Sequence, residues 1–117
     1  MNLTGIRGNH AENLALKFLK RHRLKLIERN FNCQYGEIDL IMTDADYLVF
    51  VEVRYRQDQR FGGALASIDQ RKQNKLRRSA EHYLIRTKKT DSPCRFDIIC
   101  ATGNINQPDI EWIKNAF

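Results

Sequence analysis

The 117-residue chain has a formal net charge of +6, with 42% hydrophobic and 29% charged residues, the make-up of one globular domain, 1–117, that buries about two-thirds of its unfolded surface. No apolar run approaches the roughly 20 residues of a bilayer-spanning helix, and Arg7 and His10 fall where a secretory leader would place its apolar stretch, so a cytoplasmic protein with no membrane association is expected. Cys33, Cys94 and Cys100 are odd in number and lack metal-knuckle spacing, which predicts idle thiols in a reducing compartment.

From about Gly8 to His22, Ala11, Leu14, Ala15, Phe18 and Leu19 recur with the spacing of an amphipathic helix. Glu12 shares the stripe of Ala15 and Leu19 and so points toward the body of the protein. Two roles compete for it. Asn9 could cap the helix with Glu12 completing an Asn-x-x-Glu box, or Glu12 could be a carboxylate leaning over a site on the sheet. Leu24 to Glu28 is a short first strand.

The next two runs, Glu37 to Thr43 and Tyr47 to Arg56, carry the strongest signal. In the second, Val49, Val51, Val53 and Tyr55 share one face, and Leu48, Phe50, Glu52, Arg54 and Arg56 share the other. Asp44-Ala45-Asp46 closes them into a hairpin. A turn centred on Ala45 and Asp46 makes opposed residue numbers sum to 91. Asp39 then stands opposite Glu52, and Glu37 opposite Arg54. The same register sets Ile38, Leu40 and Met42 against Val53, Val51 and Val49, and a one-residue slip would destroy both patterns together. Directly opposed carboxylates repel, and ordinary strands avoid them. A divalent cation would compensate.

Gln57 to Ala66 is a polar loop around Phe61-Gly62-Gly63. Ser67-Ile68-Asp69-Gln70 fits a capping box opening a second helix, whose inward stripe runs Ile68, Lys72, Leu76, Ala80, Tyr83 and Leu84. Between Asp69 and Lys89 lie eight basic and two acidic residues, so this segment carries the whole charge excess. Such concentration on one element is the electrostatic footprint of a phosphate-binding surface; a solvated helix face is the plain alternative. Thr90 to Pro93 breaks the helix, Arg95 to Thr102 alternates as a strand, and Ile110 to Lys114 adds a last one. The predicted order is α-β-β-β-α-β-β, an α/β fold with a mixed sheet whose basic helix is a right-handed crossover between parallel neighbours.

Gly36-Glu37-Ile38-Asp39-Leu40-Ile41 and Val49-Phe50-Val51-Glu52-Val53-Arg54-Tyr55-Arg56, with Gly62-Gly63, Lys72 and Arg95-Phe96-Asp97 further on, resemble the bacterial YraN family from about Gly8 to the C-terminus. That family looks like a branch of the PD-(D/E)-x-K nuclease superfamily, similar in pattern to archaeal Holliday-junction resolvases. The resemblance implies a restriction-endonuclease-like core and an Mg²⁺ or Mn²⁺ site from Asp39, Glu52 and Glu12. Two positions depart from the superfamily pattern. Ile38 replaces the expected proline, and Arg54 occupies the lysine position two residues after Glu52. Arginine can donate to a phosphate oxygen but cannot serve as a base, which leaves Lys72 to supply a titratable amine.

Taken together, the catalytic candidates are Asp39, Glu52, Arg54, Glu12 and Lys72. Arg56, Arg71, Lys72, Lys75, Arg77 and Arg78 are the candidates for nucleic-acid contact. The expected partner is DNA, branched forms included, and a homodimer would suit a resolvase that cuts two strands. The Arg54 departure keeps a second class open, a binding module that has lost cleavage. A third is a protein-interaction domain in which Glu37 and Arg54 simply pair.

Overall fold

The computed structural model describes residues 3–58 and 68–117, with side-chain surroundings from Asn9 onward. Its elements are α1 (Leu3–Arg21), β1 (Lys25–Cys33), β2 (Gly36–Asp44), β3 (Tyr47–Arg56), α2 (Gln70–Arg86), β4 (Cys94–Thr102) and β5 (Asp109–Ile113). The order is the expected one. The loop centred on Phe61-Gly62-Gly63 and the predicted cap residue Ser67 lie outside the described residues.

The five strands form one sheet in sequence order. Neighbours are antiparallel except β3 and β4, which run parallel. A parallel pair cannot be joined by a tight turn, and α2 lies in the connection between them. Alternate residues of the central strands face opposite layers. Leu40, Met42, Val49, Val51 and Ile99 pack with Ala15 and Leu19 of α1. Ile41, Leu48 and Phe50 pack with Leu76, Ala80 and Tyr83 of α2. The helices therefore cover opposite faces, and a strand between them must be apolar on both sides. Glu52 is an exception to that rule, a carboxylate only 5% exposed.

The hairpin register is as expected: Leu40 pairs with Val51, Ile41 with Phe50 and Met42 with Val49, closing at Asp44 and Tyr47. Ala45 takes up the turn at φ +53°.

Four local expectations need correction. α1 begins at Leu3 rather than near Gly8, which leaves Asn9 inside the helix and unable to cap it. The N-cap of α2 is Asp69, whose side chain accepts from Lys72 N, and the helix opens two residues later than a Ser67 cap would need. β1 runs on to Cys33 instead of ending at Glu28; a bulge between Leu26 and Glu28 breaks the alternation that would have shown its length. Finally, Ile38 does not share the face of Leu40 and Met42. It packs with Phe31 in the α2-side core. The change of side coincides with Asn30, a strand residue at φ +53°, at the one gap between the paired positions Arg29↔Leu40 and Phe31↔Ile38. A left-handed residue within a strand turns the pleat over. Asp39, in the same gap, sits where β2 changes faces.

Candidate functional site

That twist builds the site. Beyond Leu40↔Val51 the pairing of β2 with β3 stops, and the Asp39 side chain crosses to β3, where Oδ2 accepts from Val53 N at 2.8 Å. Glu52 lies one residue past Val51, the last paired position on β3. Its Oε1 lies 3.4 Å from Arg54 Nε and 3.8 Å from Lys72 Nζ. Arg54 thus pairs with the acid two residues before it on its own strand, and the expected Asp39–Glu52 and Glu37–Arg54 oppositions both fall outside the paired stretch. Lys72 reaches in from the first turn of α2, on the inward stripe as anticipated.

Glu12 comes from the other layer. Its carboxylate meets Arg29 Nη2 at 3.5 Å. With the Asn30 amide turned so that its nitrogen faces the acids, that nitrogen donates to Glu12 Oε1 at 3.0 Å and Glu37 Oε1 at 2.8 Å. Arg29 and Asn30 escaped the sequence reading. Arg29 carried no signal at all, whereas Asn30 belongs to the few residue types that tolerate a left-handed backbone.

The site gathers four carboxylates (Glu12, Glu37, Asp39 and Glu52) around three cations, Arg29, Arg54 and Lys72. Burial, then the charge of Asp39, pushes Glu52 up to about 7. Burial is also the main cause that raises Asp39, with Glu37 adding to it against the Val53 amide, Lys72 and Arg54. Glu12 is raised by burial and then by Asp39. Glu12 and Glu52 each feel the charge of Asp39, and the start of α1 at Leu3 leaves Glu12 no part in a helix cap. Glu52 Oε2 is buried without a hydrogen-bond partner, an unusual expense for a charged oxygen. Among the described residues, no three His, Cys, Asp or Glu side chains are spaced as a closed metal cage; the hard donors available are the Asp39–Glu52 pair, with Glu12 held back on Arg29.

The basic residues divide into two sets. Arg71, Lys75 and Arg78 are exposed and follow one another at helical spacing along one flank of α2. Arg77 points elsewhere: its guanidinium lies over the rings of Phe96 and Phe117, at 5.9 and 5.4 Å from their centroids. Arg56 is exposed at the end of β3, with Nη1 donating to Tyr55 O. The cysteines are free, as expected.

Arg95 and Asp97 lie outside the site. Asp97 is buried and accepts from Arg95, from Trp112 Nε1 and from Asn115 N, each at 3.0 Å for its closest contact. Arg95 also donates to Asp44 Oδ2 at 2.8 Å. These residues fasten β4 to the hairpin turn and to the C-terminal segment.

A mixed sheet between two helices, with a buried acid pair and an attendant lysine where its central strands cease to pair and a basic helix flank beside them, defines an α/β domain with a built polyionic site. The chain belongs to the Uncharacterised protein family UPF0102, whose profile matches residues 11–101, the YraN family that the strand motifs resemble. A UPF0102 protein of Nitrosomonas eutropha is 54% identical over 117 residues, covering 100% of this chain and 97% of the relative. One from Nitrosospira multiformis is 52% identical over 112 residues, 96% of this chain and 92% of its own length. A third, from Colwellia psychrerythraea, is 45% identical over 113 residues, 95% and 88% respectively. No helix among the described residues is long and apolar enough to cross a membrane.

Proposed function

We propose that the protein binds DNA along α2 and cleaves phosphodiester bonds at the Asp39–Glu52 site with the help of Mg²⁺ or Mn²⁺. The observation that carries this reading is the unpartnered, buried Glu52 Oε2 beside a second carboxylate that raises its pKa. Both ion pairs of Glu52 are made through Oε1, which leaves Oε2 free to take a cation. The donors are hard oxygens, which suit Mg²⁺ or Mn²⁺ over zinc. Asp39 and Glu52 would hold the ion, with Glu12 as the third acid in reach of their field. When bound, such an ion supplies charge neutralisation at the phosphate and a more acidic water.

The chain's own groups divide the remaining work. Arg54 can donate to a phosphate oxygen, and it also screens Glu52. Lys72, close to the same Glu52 oxygen, is the group able to take up or release a proton that Arg54 cannot. The exposed stripe Arg71, Lys75 and Arg78 attracts the backbone on either side of the scissile bond.

One observation favours binding without efficient cleavage: the position that holds lysine in the resembled superfamily holds Arg54, and its guanidinium is engaged with Glu52. The deciding experiment incubates purified protein with four-way-junction, flap and linear DNA, in Mg²⁺, Mn²⁺ or EDTA. Cleavage is expected in metal and not in EDTA, and Asp39→Asn should abolish it while DNA binding persists. Binding with no metal-dependent cutting would select the binding module; absence of both would overturn the proposal. Size measurement of the DNA-bound species tests whether two copies assemble on a junction.

A further inference from the structure

The flank of α2 that carries Arg71, Lys75 and Arg78 continues at the same spacing to His82 and Ile85. There it meets Tyr35, in the turn between β1 and β2. Arg78, Glu81, His82, Ile85 and Tyr35 line a surface cleft of about 250 Å³. The Tyr35 and His82 rings stand 6.3 Å apart, edge to face. His82 is in turn backed by Phe31, a ring in the core at 6.3 Å. Tyr35 is 37% exposed and Ile85 60% exposed, which gives the cleft an open apolar wall beside a cation. Nothing in the proposed chemistry uses this cleft.

We propose that it is a stacking subsite for one unpaired nucleobase of a bound nucleic acid. The inference rests on the DNA-binding reading above and narrows its substrate class to molecules with single-stranded nucleotides, such as flaps, gaps or opened junctions. The cleft is smaller than the roughly 300–1,000 Å³ of pockets for drug-sized ligands, a size for a single planar group. The Tyr35 ring offers that group a partly exposed surface, and the core-backed His82 edge fixes the ring's tilt. Arg78 stands at the rim to meet the adjoining phosphate, and Glu81 can accept from an exocyclic amine. A base within a continuous duplex has both faces covered and cannot enter. At 1.5 Å rise per residue, the ten positions from Lys72 to His82 span about 15 Å of helix. An unpaired strand following the cationic flank would therefore run from the carboxylate site to the cleft over a few nucleotides.

The test uses a dT oligonucleotide with one 2-aminopurine, alone or as the single-stranded arm of a flap, and a blunt duplex of equal length. Wild type should quench 2-aminopurine at one position of the single-stranded probe, as stacking on an aromatic ring does. Tyr35→Ala should remove the quenching. It should also shrink the preference for single-stranded over duplex DNA by about tenfold, the equivalent of about 1.4 kcal/mol and within the range of one base–aromatic stack. Tyr35→Phe, which keeps the ring, should retain both properties and shows that the turn still folds. If Tyr35→Ala leaves quenching and preference unchanged while Lys75→Ala with Arg78→Ala weakens all binding, the subsite is refuted and the DNA-binding reading stands. If wild type binds none of the probes at low salt, both fall together.

Discussion

Glu52 is the residue at which structure and charge are most at odds. It is buried, its Oε2 has no partner, and its pKa is pushed up to about 7 from an ordinary 4.5. Between those two values the unfolded chain has released the proton and the folded chain still holds it. Unfolding therefore gains from each step up in pH, and stability falls as pH rises from 4.5 to about 7, then levels. This slope is the reverse of the usual carboxylate case. In EDTA, urea melts should show it, and Glu52→Gln should flatten it and stabilise the protein at pH 8 by on the order of 3 kcal/mol at most. A steeper loss toward acid in wild type would mean that Glu52 is well paired when charged and not waiting for a cation. Addition of Mg²⁺ at pH 8 should raise the midpoint of wild type, because an ion that binds only the folded state stabilises it by mass action, and should leave Glu52→Gln nearly unmoved. Arg54 tests the same site from the cationic side. Arg54→Lys should keep or raise any cleavage rate. Asp39→Asn and Glu52→Gln should each lower it at least about a hundredfold, the scale on which a positioned catalytic group is felt.

The elements were legible wherever one physical pattern ruled them. β3 alternates without interruption, and its predicted span Tyr47 to Arg56 is the observed one. The turn at Ala45 set the β2–β3 register as far as Leu40↔Val51, one residue short of the expected Asp39–Glu52 opposition. What could not be read were the places where the backbone leaves its regular course. The bulge after Leu26 and the left-handed Asn30 hid the length of β1, and Asn30 also hid the reversal of faces that sends Ile38 to the α2 side. Arg29 and Asn30 thereby stayed invisible as partners of Glu12. For α2 the charge was plain but its direction was not, since composition does not say which flank faces a ligand. Helical spacing on the folded frame separates Lys75 and Arg78 from Arg77, which lies over Phe96 and Phe117. The double change Lys75→Ala with Arg78→Ala should therefore lower the salt dependence of DNA binding, by about 0.9 in slope for each phosphate of duplex DNA that is no longer neutralised. Arg77→Ala should leave the slope nearly intact and cost stability instead, within the roughly 0.5–2 kcal/mol of a cation–ring interaction. An equal fall in slope for both variants would show that the whole helix surface, and not one flank, meets the nucleic acid.

At the scale of the molecule, the site lies where the pairing of β2 with β3 stops, beyond Leu40↔Val51. Asp39 has abandoned the regular ladder for a single bond to Val53 N, and four acids stand close together. Such a region has little stability of its own to contribute, so the sheet must be held from its other neighbours. Asp97 is placed for this. From the middle of β4, the strand parallel to β3, its carboxylate gathers Arg95, Trp112 of β5 and the backbone of Asn115, and through Arg95 it reaches Asp44 at the hairpin turn. Its side chain is fully buried, so its charge is balanced by these donors and not by water. Asp97→Ala should therefore cost roughly 3–5 kcal/mol, the penalty of breaking a buried charge pair and leaving its partner behind. Asp97→Asn should be intermediate, since it keeps the shape but loses the charge-assisted bonds and turns two acceptors into one. The loss should be uneven. Hydrogen exchange should rise first in β5 and the segment to Phe117, then along β4, with α1 and the paired stretch of β2 and β3 protected longest. If Asp97→Ala melts all five strands together with unchanged cooperativity, the network is an ordinary part of one core. If opening starts at β5 and spreads through β4 into β3, the network is a latch that holds the acidic site from the far edge of the sheet, and the variant should lose Mg²⁺ stabilisation in proportion to that spread.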